Sequence, residues 1–199
     1  MTHLELLAHI TAIAQEAGAA AMQVYASDFE VRAKADQSPV TEADERAEAV
    51  ILGRLAALAP EMPVISEEQA AAGQAPPPAA RFWLVDPLDG TREFIQRNGE
   101  FTVNIALIEA GRPTLGVVVA PALGRLFAGA LGCGALTQDA SGRRSIECRR
   151  VPAEGLTVVA SRSHGDGGAL DRFLANRQVA ASTAWPAAVS HSMVRPRRG

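Results

Sequence analysis

Asp86 and Asp89 stand three residues apart in Trp83-Leu84-Val85-Asp86-Pro87-Leu88-Asp89-Gly90-Thr91, where a short apolar run delivers two carboxylates into a Pro/Gly turn and a hydroxyl follows at once. Hard divalent cations bind oxygen ligands, and Mg2+ sites use a few carboxylates together with substrate phosphate. Two carboxylates on one tight turn can share a pair of cations. Gly90 lets the backbone approach a ligand closely, and Thr91 can open a helix whose free N–H groups attract phosphate. That is the layout of a metal-dependent phosphate-ester site. Asp-Pro and Asp-Gly are also ordinary turn dipeptides, so the neighbouring segments carry the decision.

Two of them add carboxylates at element boundaries, where functional residues concentrate. Pro63-Val64-Ile65-Ser66-Glu67-Glu68 reads as a short buried strand ending in two acids. Ser38-Pro39-Val40-Thr41-Glu42-Ala43-Asp44 lies just ahead of a helical pattern. Glu67 and Glu68 also read as a solvated strand end. Thr41 followed by Asp44 is close to a capping box, a structural role compatible with a catalytic Asp44.

The elements that must hold these residues follow from periodicity. Leu4, Leu7, Ile10, Ile13, Ala14, Ala17 and Ala21 recur at helical spacing over 4–25. A short strand is predicted at 29–32, a loop at 34–39, and a second helix from Thr41 that stops before Pro60. The Ala/Gly/Pro-rich stretch 70–80 reads as a surface loop. A strand at 82–85, a short helix at 92–97, hairpins over 102–120 and 126–138, strands at 145–151 and 156–160 and a helix from 169 to 174 complete the pattern. Two helices, an antiparallel sheet and then a strand–helix start predict an α+β first half leading into an α/β second half, a layered sandwich.

Composition narrows the class. The chain has 199 residues, 48% hydrophobic and 21% charged, with a formal net charge of −3. That is enough apolar content for a substantial core. No basic stripe marks a binder of nucleic-acid polymers, no run approaches a membrane span, and Met1-Thr2-His3-Leu4-Glu5 does not open a signal peptide. A cytoplasmic location is expected, with a peripheral place at the inner membrane left open. Cys133 and Cys148 form no zinc pattern and are expected to be buried small apolar residues. His164, in Ser161-Arg162-Ser163-His164, is either a nucleotide contact or part of a capped turn.

Glu67-Glu68 followed by Asp86-Pro87-Leu88-Asp89-Gly90-Thr91 resembles the signature of the inositol monophosphatase-like, Mg2+-dependent, lithium-sensitive phosphatases. The continuation Arg92-Glu93-Phe94-Ile95 and Asn98-Gly99-Glu100-Phe101-Thr102-Val103-Asn104-Ile105-Ala106-Leu107-Ile108 is similar to the bacterial 3'(2'),5'-bisphosphate nucleotidases of the CysQ type. Ser38-Pro39-Val40-Thr41-x-Ala43-Asp44 and Ala160-Ser161-Arg162-Ser163-His164 look like the same subgroup. The resemblance runs from the N-terminus to about residue 175.

It implies that Glu67, Asp86, the Leu88 carbonyl and Asp89 hold metal. Gly90 and Thr91 would hold phosphate through their N–H groups, and Thr91 with Asp44 would orient and activate the attacking water. Glu67 would thereby share in catalysis, and Glu67, Leu88, Asp89, Gly90, Thr91 and His164 would contact substrate. Two or three Mg2+ ions, inhibition by Li+ and a nucleotide bisphosphate substrate follow by the same resemblance. The implied reaction removes the 3'-phosphate of adenosine 3',5'-bisphosphate, in sulfur assimilation. An inositol or sugar monophosphatase is the alternative within the class, and Arg92-Glu93-Phe94 and Asn98-Gly99-Glu100 argue against it. A non-catalytic remnant that binds metal or phosphate, or nothing, is the alternative outside it.

The tail departs from the pattern. Asp171 is the last acid, and 178–199 is mostly Ala, Ser, Val, Pro and Arg with poor periodicity. Trp185-Pro186-Ala187-Ala188 resembles the family's later Trp-Asp-x-Ala-Ala motif only superficially, because proline stands where a metal-ligating acid belongs. The organisation expected is an α+β metal and phosphate domain over 1–155, the start of an α/β domain over 156–176, and a non-homologous tail over 177–199, leaving the second half incomplete. Weak or absent activity would follow, with poor stability as its proximate cause. Arginine occurs eighteen times and lysine once, a bias of GC-rich coding, so a shifted reading frame is the expected origin of the tail; an intact frame on sequencing the locus contradicts it.

Overall fold

The computed structural model describes residues 1–33, 39–161, 167–185 and 194–196. Helix α1 (His3–Tyr25) starts at a capping box in which Thr2 N–H donates to Glu5 Oε2 at 2.7 Å and Glu5 N–H donates to Thr2 Oγ1 at 3.3 Å. Its buried stripe is large at the start (Leu6, Leu7, Ile10, Ile13) and small later (Ala14, Ala17, Gly18, Ala21). The small residues let the helix lie close to what it covers; a Cβ at Gly18 would stand 3.2 Å from Pro121 Cβ. Strands β1 (Val31–Ala33) and β2 (Pro39–Thr41) pair antiparallel, and helix α2 (Glu42–Leu58) leaves directly from β2.

The following elements are β3 (Val64–Ser66), α3 (Glu67–Ala71), β4 (Arg81–Asp89), α4 (Thr91–Ile95), β5 (Thr102–Glu109), β6 (Arg112–Ala120), a 3-10 turn at Pro121–Leu123, β7 (Arg125–Ala130), β8 (Gly134–Asp139) and β9 (Gly142–Cys148). After them come β10 (Leu156–Ser161), α5 (Gly167–Leu174), β11 (Val179–Trp185) and β12 (Val194–Pro196). Among the described residues, eight strands form one mixed sheet in the order β12-β9-β8-β7-β6-β5-β4-β3. β4 to β9 meander antiparallel, while β3 runs parallel to β4 because α3 and its connection carry the chain back. β10 and β11 form a separate parallel pair.

The first two helices cover one face of the large sheet. Leu6, Ile10, Ala14, Ile51 and Leu55 pack there against Trp83, Val85, Val103, Ile105, Leu107 and Val117. Strand alternation sends the intervening residues to the other face. Leu84, 46% exposed, lies there with Asp86, Asn104, Ala106, Gly116 and Val118, around an open concavity of about 480 Å3. A second, aromatic core seats α4: Phe94 lies 5.0 Å from Tyr25, 5.0 Å from Phe29 and 4.9 Å from Phe101, ring centre to ring centre.

The layered α/β architecture agrees with the sequence reading, and four local features differ. Glu67 and Glu68, read as a strand end, and the first two residues of the expected 70–80 loop are helical, because Ser66 caps them by accepting the Gln69 N–H at 3.2 Å. Cys133 and Cys148 are exposed free thiols, not core residues: Cys133 lies in the β7–β8 turn and Cys148 ends β9. The tail read as lacking periodicity supplies β11, whose Ala-Ala-Ser-Thr run pairs with β10. A strand held mainly by backbone pairing needs no apolar alternation. Val194–Pro196 likewise pairs antiparallel with β9.

Candidate active site

Thr41 ends β2 and caps α2, so the capping geometry itself delivers Asp44. The carboxylate is 1% exposed and accepts from Thr41 N–H and from Thr41 Oγ1, both at 2.8 Å on Oδ2. The Thr41 hydroxyl in turn accepts the Ala43 N–H at 3.2 Å. Asp44 Oδ1 is left to face Thr91, whose hydroxyl lies 3.2 Å away. Burial raises the Asp44 pKa above the ordinary carboxylate value, and the hydrogen bonds from Thr41 and Thr91 oppose it without cancelling it. A carboxylate so placed is a better proton acceptor than one in water.

Thr91 also lies 3.3 Å from the Leu88 carbonyl. A hydroxyl has one proton, so it donates to Asp44 or to Leu88 but not to both. Donation to Asp44 leaves the Leu88 oxygen available as a ligand and keeps the threonine lone pairs open to a donor.

The end of β4 brings the other carboxylates together. Asp86 pairs with Asn104 and Asp89 with Thr102, so three steps along β4 match two along β5. The extra residue is a bulge. In a regular strand residues three apart point to opposite faces; the bulge turns Asp89 to the side that Asp86 already occupies. Glu67 joins them from the first position of α3, because β3 runs parallel beside β4 with Ser66 opposite Val85. Ser66 Oγ donates to Glu48 Oε1, one turn beyond Asp44 on α2. One helix thus anchors both the Thr91 arm and the Glu67 arm.

Electrostatics mark this corner as built for positive charge. Asp86 is pushed up to about 8, first by burial, then by the negative charge of Glu67 and then by that of Asp89, with a hydrogen bond from the Leu88 backbone acting the other way. Its Oδ1 is fully buried and accepts no hydrogen bond among the described residues. No three His, Cys, Asp or Glu side chains among the described residues form a ready cage. A cation here would draw on the Leu88 carbonyl, phosphate and water as well, the habit of Mg2+. The all-oxygen donor set and the orphaned Asp86 Oδ1 fit such an ion.

Gly90 turns the chain from the end of β4 into α4. Its φ of 94° is left-handed, and a Cβ would meet the Glu100 carbonyl oxygen at 3.0 Å. Both facts demand glycine. Phe94 N–H donates back to the Gly90 carbonyl at 2.9 Å, closing the first turn of α4.

The structure therefore brings Asp44 against Thr91, sets the Leu88 carbonyl beside the Thr91 hydroxyl, and gathers Glu67, Asp86 and Asp89. His164 lies outside the described residues. Sequence reading missed three neighbours: Glu48, which signals itself by lying four residues after Asp44 on one helix face, and Thr102 and Asn104, the polar positions of a strand laid opposite the carboxylates.

A model of the inositol monophosphatase family matches residues 3–193. The 3'(2'),5'-bisphosphate nucleotidase CysQ of Salmonella typhimurium is 50% identical over 163 residues, 81% of this chain and 65% of the relative. The chain thus spans about 65% of the length of the curated relatives it matches. CysQ from Bacteroides thetaiotaomicron, a bacterial member of the inositol monophosphatase family, superposes with a TM-score of 0.70 at 29% identity, covering 90% of this chain and 72% of that one. Staphylococcal inositol monophosphatase-1, solved as an inhibitory complex soaked in 100 mM LiCl, shares the fold with a TM-score of 0.71 at 16% identity, covering 92% and 67%.

A carboxyl group whose folded-state pKa is raised favours the folded state most below its unfolded value of about 3.9 and loses that contribution as pH rises through the folded value. Asp86 places that window between about 4 and about 8. In excess chelator the melting temperature is expected to fall across this range, and Asp86→Asn to flatten the fall. An equal slope in the two proteins contradicts the electrostatic reading of the corner.

Proposed function

The chain belongs to the inositol monophosphatase family, and on that premise we propose that its site performs Mg2+-dependent hydrolysis of a phosphate monoester, the 3'-phosphate of adenosine 3',5'-bisphosphate. Water enters, and adenosine 5'-monophosphate and phosphate leave. The observation that carries the proposal is the Thr91–Asp44 hydrogen bond beside three crowded carboxylates. The choice of a nucleotide bisphosphate over an inositol phosphate rests on the similarity to the CysQ nucleotidases and on the Arg92-Glu93-Phe94 and Asn98-Gly99-Glu100 segments.

Each residue has a task its surroundings support. Glu67, Asp86, Asp89 and the Leu88 carbonyl would hold the two or three Mg2+ ions, which when bound would supply positive charge for the phosphoryl oxygens and a lowered pKa for the attacking water. The Gly90 and Thr91 N–H groups bind phosphate oxygens. The Thr91 hydroxyl, donating to Asp44, accepts a hydrogen bond from the water and aligns it; the proton is drawn toward Asp44, whose raised pKa suits it to hold that proton. Asp44 needs its partners from Thr41, since a buried carboxylate without hydrogen bonds would take up a proton beforehand.

Residues 1–155 form the metal and phosphate unit in this reading, and 156–176 open a second α/β unit. No helix among the described residues is long and apolar enough to cross a membrane. The cytoplasm is the proposed compartment. Li+ is expected to inhibit by competing for a Mg2+ position.

Phosphate release from adenosine 3',5'-bisphosphate is expected to require Mg2+, to fall when Li+ is added, and to exceed release from inositol 1-phosphate. Asp44→Asn and Thr91→Ala should each lower the rate by roughly 10²–10⁴-fold while leaving the fold intact by circular dichroism. A rate indifferent to Mg2+ or to Asp44→Asn overturns the proposal.

A further inference from the structure

The face of β5 opposite the carboxylates carries chemistry that the proposed reaction leaves unused. Asn104 sits across the ladder from Asp86, and Thr102 across from Asp89. Directly opposed residues bring their Cβ atoms within about 4.5–5.5 Å on the same face. Thr102 is 1% exposed, and both Thr102 Oγ1 and Asn104 Oδ1 are fully buried with no hydrogen-bond partner among the described residues. Asp86 Oδ1 is orphaned in the same way. Asp86 and Asn104 line the same concavity as Ser66 and Glu67.

Orphaned buried polar atoms are costly and uncommon in folded chains, and these oxygens fall on two consecutive rungs. The neighbours on β5 that face the helices, Val103, Ile105 and Leu107, are apolar and at most 1% exposed. The rest of the concavity is largely apolar: Leu84, Ala106, Gly116 and Val118 provide no side-chain donor. The orphaned Asn104 and Asp86 oxygens, with a hydroxyl beside them, suit a ligand that brings positive charge and protons. A hydrated divalent cation does both. Mg2+ usually keeps several of its waters, and residues that receive hydrogen bonds from the outer side of a metal site set its affinity.

We propose that Asn104 and Thr102 are positioning residues of the cation site: their oxygens accept hydrogen bonds from water carried by the ion that Asp86 and Asp89 bind, and so fix where the ion sits. The inference rests on the reading of Glu67, Asp86 and Asp89 as a cation site. It extends that site from the turn to the strand beside it.

The test uses the whole 199-residue chain, with Mg2+ as the probe. The two readouts are isothermal titration calorimetry and the Mg2+-dependent rise in melting temperature. Asn104→Val removes the acceptor and a buried unsatisfied group together. Its metal-free melting temperature is therefore expected to stay at or above that of the parent chain, while its Mg2+ dissociation constant rises about 10–100-fold. Asn104→Ser keeps an oxygen and should recover part of the loss. Thr102→Val, nearly isosteric, should weaken Mg2+ in the same direction and gives the answer alone if Asn104→Val does not fold. Parent-like Mg2+ affinity in the valine variants overturns the inference even when the parent chain binds well. Failure of the parent to bind Mg2+, or equal binding by Asp86→Asn, overturns the cation site itself and this inference with it.

Discussion

Mutual repulsion among Glu67, Asp86 and Asp89 is the constraint on which the rest of the structure turns. Two like charges about 4 Å apart repel by about 4 kcal/mol at an effective dielectric constant near 20. No folded chain keeps such a corner for stability. The protein forces it by three independent devices: a bulge that turns Asp89 to the side of Asp86, a parallel β3 that sets Ser66 beside Val85, and a helix cap that starts α3 at Glu67. The cost shows in Asp86, pushed up to about 8 with one oxygen unpartnered. A divalent cation bound there would offset that cost.

The surrounding fold keeps the corner rigid. Helix α2 meets the site twice on one face, through Asp44 at Thr91 and through Glu48 at Ser66. Small residues along α1 let it lie flat on the sheet, and its far end contributes Tyr25 to the aromatic cluster that seats Phe94. Arg97, stacked 5.0 Å from the Phe29 ring centre, donates to the Tyr25 and Ser27 carbonyls and fastens the segment after α4 to the end of α1. The position of Thr91 is therefore set from both sides, by Asp44 and by the packing of its own helix.

Much of this was legible in the chain, for physical reasons. Asp86, Asp89, Gly90 and Thr91 announce themselves because Asp-Pro and Asp-Gly mark an interruption of a regular strand, which the structure realises as the bulge at the end of β4 and the left-handed Gly90. Thr41 and Asp44 announce themselves as a cap. The α1 stripe and the hairpins follow from period. What stayed hidden depends on register. Nothing in Phe101-Thr102-Val103-Asn104 says which residues will lie opposite the carboxylates, since that is fixed only when the bulge forms. Exposure of Cys133 and Cys148 was hidden because a cysteine's burial follows from the strand edge or turn it lands on, not from its own chemistry. β11 was hidden because an Ala-rich strand held by backbone pairing shows no alternation.

Crystals of the chain soaked in MnCl2 and measured at the manganese absorption edge give the most direct test of the central claim. Anomalous density is expected at the β4 turn, within about 2.0–2.3 Å of oxygens from Glu67, Asp86, Asp89 or the Leu88 carbonyl. Density confined to other parts of the molecule, or absent from soaked crystals in which the turn is well ordered, would contradict a cation site built on these carboxylates.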